Sequence, residues 1–246
     1  MLISALIAAA TWPIMVTKDC LPKADTVLVG LARNEAGKVI YCEIVNKIDS
    51  SSLKVSYTTS GQVFAEKSFS FSASPFLPSV FQKDFRTGEL RQANVSNQSV
   101  ELSYQPNTNK KIGNEVIPLQ NVDIVDAGFD NFIRANWDEL QAGKTLSVNF
   151  ASIAHLKTLP LRVRVQPIEK CLIKQDESLS LTCFFVEIDN SLLRIILGNI
   201  KITYDQQRRL HEFDGIVNIE DEKQNNQKAI IRYFYRQDYL NQDIKN

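Results

Sequence analysis

Residues 53–71, "LKVSYTTSGQVFAEKSFSF", decide the fold class, because their apolar residues recur at every second position on both sides of a turn. The first arm places Leu53, Val55 and Tyr57 on one face, and Ser60-Gly61 turns the chain. The second arm presents one matching face, which consists of Val63, Ala65, Phe69 and Phe71. The pattern predicts a long antiparallel hairpin with one buried face.

The same alternation continues through most of the chain. It recurs in "VELSY" (100–104), "TLSVNF" (145–150) and "LPLRVRV" (159–165), and "AIIRYFY" (229–235) is a further predicted strand. The connections are short, whereas parallel strands need crossovers of roughly a dozen or more residues. We therefore predict a mainly β fold in one domain, residues 25–235, built as a curved antiparallel sheet that forms a half-barrel or open barrel. The polar residues 236–246 are expected to fray.

One long amphipathic helix is predicted among these strands, at "DAGFDNFIRANWDELQAGK", residues 126–144. Its apolar stripe consists of Phe129, Phe132, Ile133, Trp137 and Leu140. Asp126 is the expected cap at its start, Gly143 is expected to close its end, and Asp130 and Arg134 form an i,i+4 pair. The only large apolar surface available to such a stripe is the sheet, so we expect the helix to cover it.

A helix laid across a curved sheet either fills the hollow or leaves an apolar pocket beneath it. The second alternative predicts a binding site for a lipid-like molecule, formed by Phe129, Phe132, Ile133 and Trp137 together with Phe69 and Phe71. The first predicts a solid core and a structural or interaction role. Both remain open from the sequence.

A short second helix is predicted at "NSLLRIILG", residues 190–198. Asn190 or Ser191 is its expected N-cap, and Gly198 follows the last apolar residue.

The N-terminus contains an apolar run from Leu2 to Val16, which is shorter than the roughly 20 residues that span a bilayer. Its length and composition predict a signal peptide over residues 1–24, cleaved near Ala24, and hence an exported, periplasmic protein without a transmembrane span. The alternative is a buried N-terminal helix, which Pro13 disfavours.

Cleavage near Ala24 would leave three cysteines, so at most one intramolecular disulfide would form and one thiol would stay free. Cys171 and Cys183 flank a predicted hairpin and are the candidate pair. The alternative is that Cys42, Cys171 and Cys183 are all small buried side chains.

Charge and histidine content limit the function. Lys+Arg and Asp+Glu both number 28, so we expect no nucleic-acid partner. The two histidines are too few for a multi-histidine metal site, and no phosphate-binding glycine loop occurs. We predict no cofactor, no metal and no catalytic residue.

Three segments carry a resemblance to known proteins: "DAGFDNFIRANWDELQAG", "PLRVRV" and "YDQQRRLHEFDGIVNI". They resemble an uncharacterised group of bacterial exported envelope proteins, over much of residues 26–235. The order of elements is similar to that of the half-barrel of periplasmic lipoprotein carriers. The resemblance implies an exported location and a curved sheet, and it carries no catalytic signature.

Carboxylates give the one enzymatic alternative. Glu187 and Asp189 lie two apart on a predicted strand, as paired carboxylates of a glycosidase do, which would suit a hydrolase of envelope glycans or lipids. A solvated strand end is the plainer interpretation. Asp138 and Glu139 lie on the solvent side of the helix, and no nucleophile motif accompanies His211. A non-enzymatic protein is therefore the leading prediction.

Overall fold

The computed structural model describes residues 12–171, 180–189 and 200–236. The helices are α1 Ile14–Asp19, α2 Gly128–Ala135 and α3 Trp137–Gln141, with short 3₁₀ turns η1 Leu119–Asn121, η2 Ile153–His155 and η3 Ile168–Lys170. The strands before α2 are β1 Thr26–Arg33, β2 Val39–Lys47, β3 Ser52–Thr59, β4 Gln62–Ser70, β5 Ser79–Asp84, β6 Leu90–Val95, β7 Ser99–Gln105, β8 Gly113–Pro118 and β9 Ile124–Val125. The strands after α3 are β10 Leu146–Ser152, β11 Lys157–Gln166, β12 Thr182–Ile188, β13 Ile200–Tyr204, β14 Leu210–Ile216 and β15 Lys228–Tyr235.

The strands form one sheet in which nearly every neighbour in space is also a neighbour in sequence. The order is β8-β7-β6-β5-β4-β3-β2-β1-β15-β14-β13-β12-β11-β10-β9, and β1 closes onto β15 by antiparallel pairing. Among the strands that the structure describes, only β9 and β10 pair in parallel, on either side of the helical segment. The predicted mainly β, antiparallel fold class is confirmed.

The two edge strands of this sheet, β8 and β9, are consecutive in the chain. Residues 119–123 alone join them, and the six Cα–Cα steps from Pro118 to Ile124 reach at most about 20 Å. A flat sheet of fifteen strands would be roughly 65 Å wide at about 4.8 Å per strand. The sheet must therefore curl until its edges meet, which gives an open, barrel-like shape. Within it, η2 contacts β6 and β7.

The concave side of the sheet contains two apolar cores. The first-half core lies against β1–β8 and includes Tyr57, Val100 and Leu102. The second-half core lies against β10–β13 and is covered by α2 and α3, as expected from the helical stripe. Strand residues whose side chains point inward alternate with polar residues on the convex side.

The convex side carries both disulfides. Cys20 at the end of α1 bonds to Cys42 in β2, and Val16 and Cys20 pack on the outer side chains of β1 and β2. Cys171 bonds to Cys183 in β12, with a Cα–Cα distance of 6.0 Å. Cys20 is thus the partner of Cys42 in the chain that the structure describes, and the free thiol stays a prediction for a chain cleaved near Ala24.

The predicted single helix is two helices. Asn136 interrupts it with φ −104° and ψ 18°, and its side-chain amide donates to the Phe132 carbonyl oxygen. Asp126 is not the helix cap. Its φ is +41°, and its carboxylate binds Lys67 instead. Gly143 does follow the end of α3, with φ +85°, and Asp130 and Arg134 lie 2.7 Å apart.

Of three further predictions, one is wrong and two fall wholly or mostly on residues that the structure does not describe. Val63 is exposed, because the register of β3 and β4 shifts between Tyr57 and Thr58. The predicted helix at 190–198 lies outside the described residues. Most of the tail at 236–246 lies outside them too. Among the residues that the structure describes, no helix is both long and apolar enough to cross a membrane.

Candidate functional site

The apolar helix stripe is packed against rings of the sheet. The Trp137 ring centroid lies 5.2 Å from that of Phe184 and 5.6 Å from that of Tyr204, both edge to face. Ile133 and Leu140 are fully buried. The three rings contact one another edge to face, so side chains fill the space beneath α3.

The six residues predicted to bind an apolar ligand fall into two groups. Phe129, Phe132, Ile133 and Trp137 belong to the second-half core, whereas Phe69 and Phe71 belong to the first-half core. The two cavities described below have no lining residue from α2 or α3. Binding of a lipid-like molecule beneath the helix stays a prediction, and the geometry favours the packed alternative.

The carboxylates considered for hydrolysis are held by arginines on the convex side. Glu187 lies 2.7 Å from Arg164, and Asp189 lies 3.1 Å from the Nε atom of Arg162. Arg162 also approaches Glu187, at 3.8 Å. Two carboxylates that are both paired with arginines are poor candidates for a general acid and a nucleophile, because those two roles need different protonation states.

The candidate site is a cavity on the concave side, the inner cavity, of about 120 Å³. It lies between the inward faces of β4–β6, the β10–η2 corner and the start of the β14–β15 loop. Its floor is formed by the buried residues Lys67, Gln82 and Arg91, and its mouth by the exposed residues His155, Asn218 and Asn226. A polar floor of this kind is unusual inside a β-barrel-like core.

Lys67 and Asp126 form a buried ion pair at one side of the floor. The Lys67 ammonium donates to both oxygens of the Asp126 carboxylate, at 2.8 and 2.6 Å, and its side chain is 4% exposed. Asp126 also accepts from the Asn218 amide at 3.3 Å. These contacts stabilise the positive φ of Asp126, which is costly for a residue other than glycine.

Gln82 is the central polar residue of the floor. It is 1% exposed, and its Nε2 atom donates to the Asn218 carbonyl oxygen at 3.0 Å, which ties the β14–β15 loop to β5. Its Oε1 atom is buried and accepts no hydrogen bond from the described part of the chain. A buried acceptor without a donor costs about 1–3 kcal/mol, so this atom is a natural contact for a bound molecule.

Arg91 completes the floor. Its Nε and Nη2 atoms donate to Glu89 Oε1 at 2.8 and 2.6 Å, and Glu220 lies 3.8 Å away. Its Nη1 atom makes no hydrogen bond to any residue that the structure describes. Burial raises the pKa of Glu89, an effect that Arg91 opposes. Arg91 lines the cavity, and the Nη1 edge of its guanidinium has no hydrogen-bond partner in the described part of the chain.

The mouth contains a hydroxyl–imidazole pair, because Ser152 Oγ and His155 Nδ1 lie 2.8 Å apart. The two residues are three apart, at either end of η2. The pKa of His155 is lowered by partial burial and by the nearby cations Lys157 and Arg91, so the ring is neutral at neutral pH. The pair resembles a local turn contact more than a catalytic dyad, in which the two residues come from separate elements.

A second cavity, about 290 Å³, is an open groove on the convex face of β3–β6. Its walls are short serine side chains and backbone, with the exposed ring of Phe81 at one side. None of its lining residues has a buried side-chain atom without a hydrogen-bond partner. The groove is larger than the inner cavity. Of the two, only the inner cavity is lined by a residue, Gln82, whose buried side-chain oxygen has no hydrogen-bond partner among the described residues.

A partly buried carboxyl lies beyond the floor on β2. Glu43 accepts from the Tyr233 hydroxyl at 3.2 Å. Burial raises the pKa of Glu43 to about 7, with Lys67 and Tyr233 opposing the rise and Asp126 adding to it. The first-half core thus contains a carboxyl that titrates near neutral pH and interacts with the ion pair of the cavity.

The sequence contained a signal for these residues that the apolar pattern concealed. Lys67 occupies the inward parity between Ala65 and Phe69, and Gln82 follows the inward Val80 by two residues. A polar residue at an inward position is a local conflict, and such conflicts mark functional or strained sites.

Comparison with known proteins gives a fold and no activity. No protein-family model and no curated protein matches the chain. The chain is similar to a solved β-barrel-like protein of the domain of unknown function DUF1849 from Brucella abortus, with a TM-score of 0.50 and 7% sequence identity. The match covers 85% of this chain and 98% of that one. It supports an uncharacterised, β-barrel-like architecture. It does not test the envelope location, and it provides no link to lipoprotein carriers.

Proposed function

We propose that this is an exported, non-enzymatic binding protein that holds a small polar ligand in the inner cavity. The observation that carries the proposal is Gln82 Oε1, a buried acceptor without a hydrogen-bond donor, on a residue that lines the inner cavity. A cavity of about 120 Å³ is below the roughly 300–1,000 Å³ that drug-sized ligands occupy. The ligand is therefore small, or only one end of a longer molecule enters.

Binding fits the geometry better than catalysis. The inner cavity contains one hydroxyl–imidazole pair, and its members belong to one short turn. Both floor cations are engaged by carboxylates. The packed rings under α3 give less support to a lipid-like ligand there than the polar floor gives to a polar ligand here.

Export is supported by the disulfides, since such bonds persist mainly in oxidising compartments. Cleavage after Ala24 would remove Cys20 and leave Cys42 unpaired. We therefore propose that any leader ends before Ile14, so that α1 and Cys20 stay on β1 and β2.

Native mass spectrometry of protein purified without detergent tests the binding function, using a variant that blocks the mouth. Ala154 lines the cavity, and Ala154→Phe places a ring in it. Ala142→Phe is the matched control, because Ala142 is exposed after α3. We expect a retained mass on the wild-type protein and on the control, and none on Ala154→Phe. The proposal fails if the wild-type protein carries nothing and binds none of the probes named below, or if Ala154→Phe retains the same mass.

A further inference from the structure

We infer that the ligand of the inner cavity is uncharged and presents a hydrogen-bond donor and an acceptor side by side, as a hydroxyl-rich molecule or a primary amide does. This inference rests on the proposed function and names the class of ligand. It follows from the charges around the floor and from the two hydrogen-bonding atoms that the protein leaves without partners.

The charges of the floor are already compensated. Lys67 is matched by Asp126, and Arg91 is matched by Glu89, each pair at hydrogen-bonding distance. An anion would add negative charge next to the Asp126 carboxylate, which lines the cavity, and near the Glu89 and Glu220 carboxylates, which lie beside Arg91. A cation would enter next to Lys67 and Arg91. Either ion would be buried without a free counter-charge, which costs far more than burying a neutral polar group.

The two free atoms require opposite partners. Gln82 Oε1 needs a donor, and Arg91 Nη1 needs an acceptor. A carboxylate or phosphate offers acceptors only, and an ammonium offers donors only. A hydroxyl or a primary amide offers both. Gln82 and Arg91 are paired in register across β5 and β6, so their side chains are neighbours on the inward face, and both residues line the cavity.

Three probes of nearly equal shape test the charge requirement: acetamide is neutral, acetate is anionic and acetamidinium is cationic. Glycerol is a second neutral probe and represents hydroxyl ligands. The side-chain amide signal of Gln82 in a ¹H–¹⁵N spectrum reports binding in the inner cavity, because Gln82 lines the cavity and its amide donates to the carbonyl oxygen of Asn218, another lining residue. We expect acetamide or glycerol to shift this signal, with acetate and acetamidinium binding about tenfold more weakly or not at all.

Gln82→Met removes the free acceptor at similar side-chain volume, and Gln92→Met is the matched control, because Gln92 lies on the neighbouring strand and faces the convex side. Arg91→Lys keeps the charge opposite Glu89 and removes Nη1. Ligand-observed spectra of the variants should show at least about tenfold weaker neutral-probe binding for Gln82→Met and Arg91→Lys, and none of this loss for Gln92→Met. Circular dichroism checks that each variant is folded.

The outcomes separate the two claims. If acetate or acetamidinium binds at the floor more tightly than the neutral probes, the cavity is a binding site but the inferred class is wrong. If a neutral probe binds equally well to Gln82→Met, the inferred contact is wrong. If no probe shifts the Gln82 signal and the purified protein carries no ligand, the proposed function itself fails.

Discussion

Glu43→Gln is expected to remove a pH dependence of stability that originates inside the first-half core. The wild-type carboxyl lies among Tyr41, Tyr57 and Tyr233, within electrostatic reach of Lys67 and Asp126. Burial raises its pKa from 4.5 to about 7, and the amide of the variant does not titrate.

The sign follows from proton binding. Between about pH 4.5 and pH 7 the folded protein holds a proton on Glu43 that the unfolded chain has released, so the free energy of unfolding falls as the pH rises. The loss begins above the unfolded pKa and is complete above the folded one. A rise of about 2.5 pKa units at about 1.4 kcal/mol each gives a loss of about 3 kcal/mol.

Urea unfolding, followed by tryptophan fluorescence at about pH 4 and about pH 8, measures this loss in both proteins. The difference in unfolding free energy between Glu43→Gln and the wild-type protein should move by about 3 kcal/mol in favour of the variant over this range. Other carboxyls titrate in both proteins and cancel in the difference. Glu101→Gln, at an exposed convex position on β7, is the control and should show no such change. Parallel stability curves for Glu43→Gln and the wild-type protein would refute the assignment.

Three further tests concern an ion pair, a core residue and a disulfide. Lys67→Met leaves the largely buried Asp126 carboxylate without its partner and should lower the free energy of unfolding by up to about 3 kcal/mol in urea titrations. Lys67→Met combined with Asp126→Asn should recover part of this loss, and equal losses in the single and double variants would contradict the pairing. Leu140→Ala removes a fully buried side chain under α3 and should cost about 2–5 kcal/mol, and a loss below about 1 kcal/mol would mean that the second-half core is not tightly packed. Replacing Cys171 and Cys183 by serine removes the cross-link and should cost about 2–4 kcal/mol under non-reducing conditions; an unchanged midpoint of unfolding would show that the bond does not form.

The sequence was sufficient to predict the strands and their pairing direction, because both depend on local patterns. Period-two alternation identified the hairpin of β3 and β4, and short connections identified antiparallel pairing. The helical stripe identified the face of α2 and α3 that is buried. The break at Asn136 was missed, because the apolar stripe continues past it. The break is a local change of backbone conformation, in which the Asn136 side chain donates to the Phe132 carbonyl oxygen.

The closure of the sheet and the composition of the site could not be predicted from local sequence patterns, because both depend on contacts between residues far apart in the chain. Pairing of β1 with β15 joins residues at opposite ends of the chain. The Lys67–Asp126 pair spans 59 residues, and the contact from Gln82 to Asn218 spans 136. Inward polar residues are visible in the sequence as departures from the apolar face, but nothing local shows which of them meet. The disulfide of Cys20 was missed for a different reason, because a leader boundary was placed after it.

The polar interior is poorly explained by stability alone. Buried ion pairs often contribute no more to stability than apolar side chains of similar size, because both charges must lose their water. This chain nevertheless places two such pairs and an unpartnered amide oxygen next to one another, at the floor of a cavity that opens to solvent. A core selected only for stability would contain apolar side chains at the inward positions of Lys67, Gln82 and Arg91. The same core does contain them at Val55, Ala93 and Leu102. The departure is therefore better explained by recognition of a polar molecule than by folding.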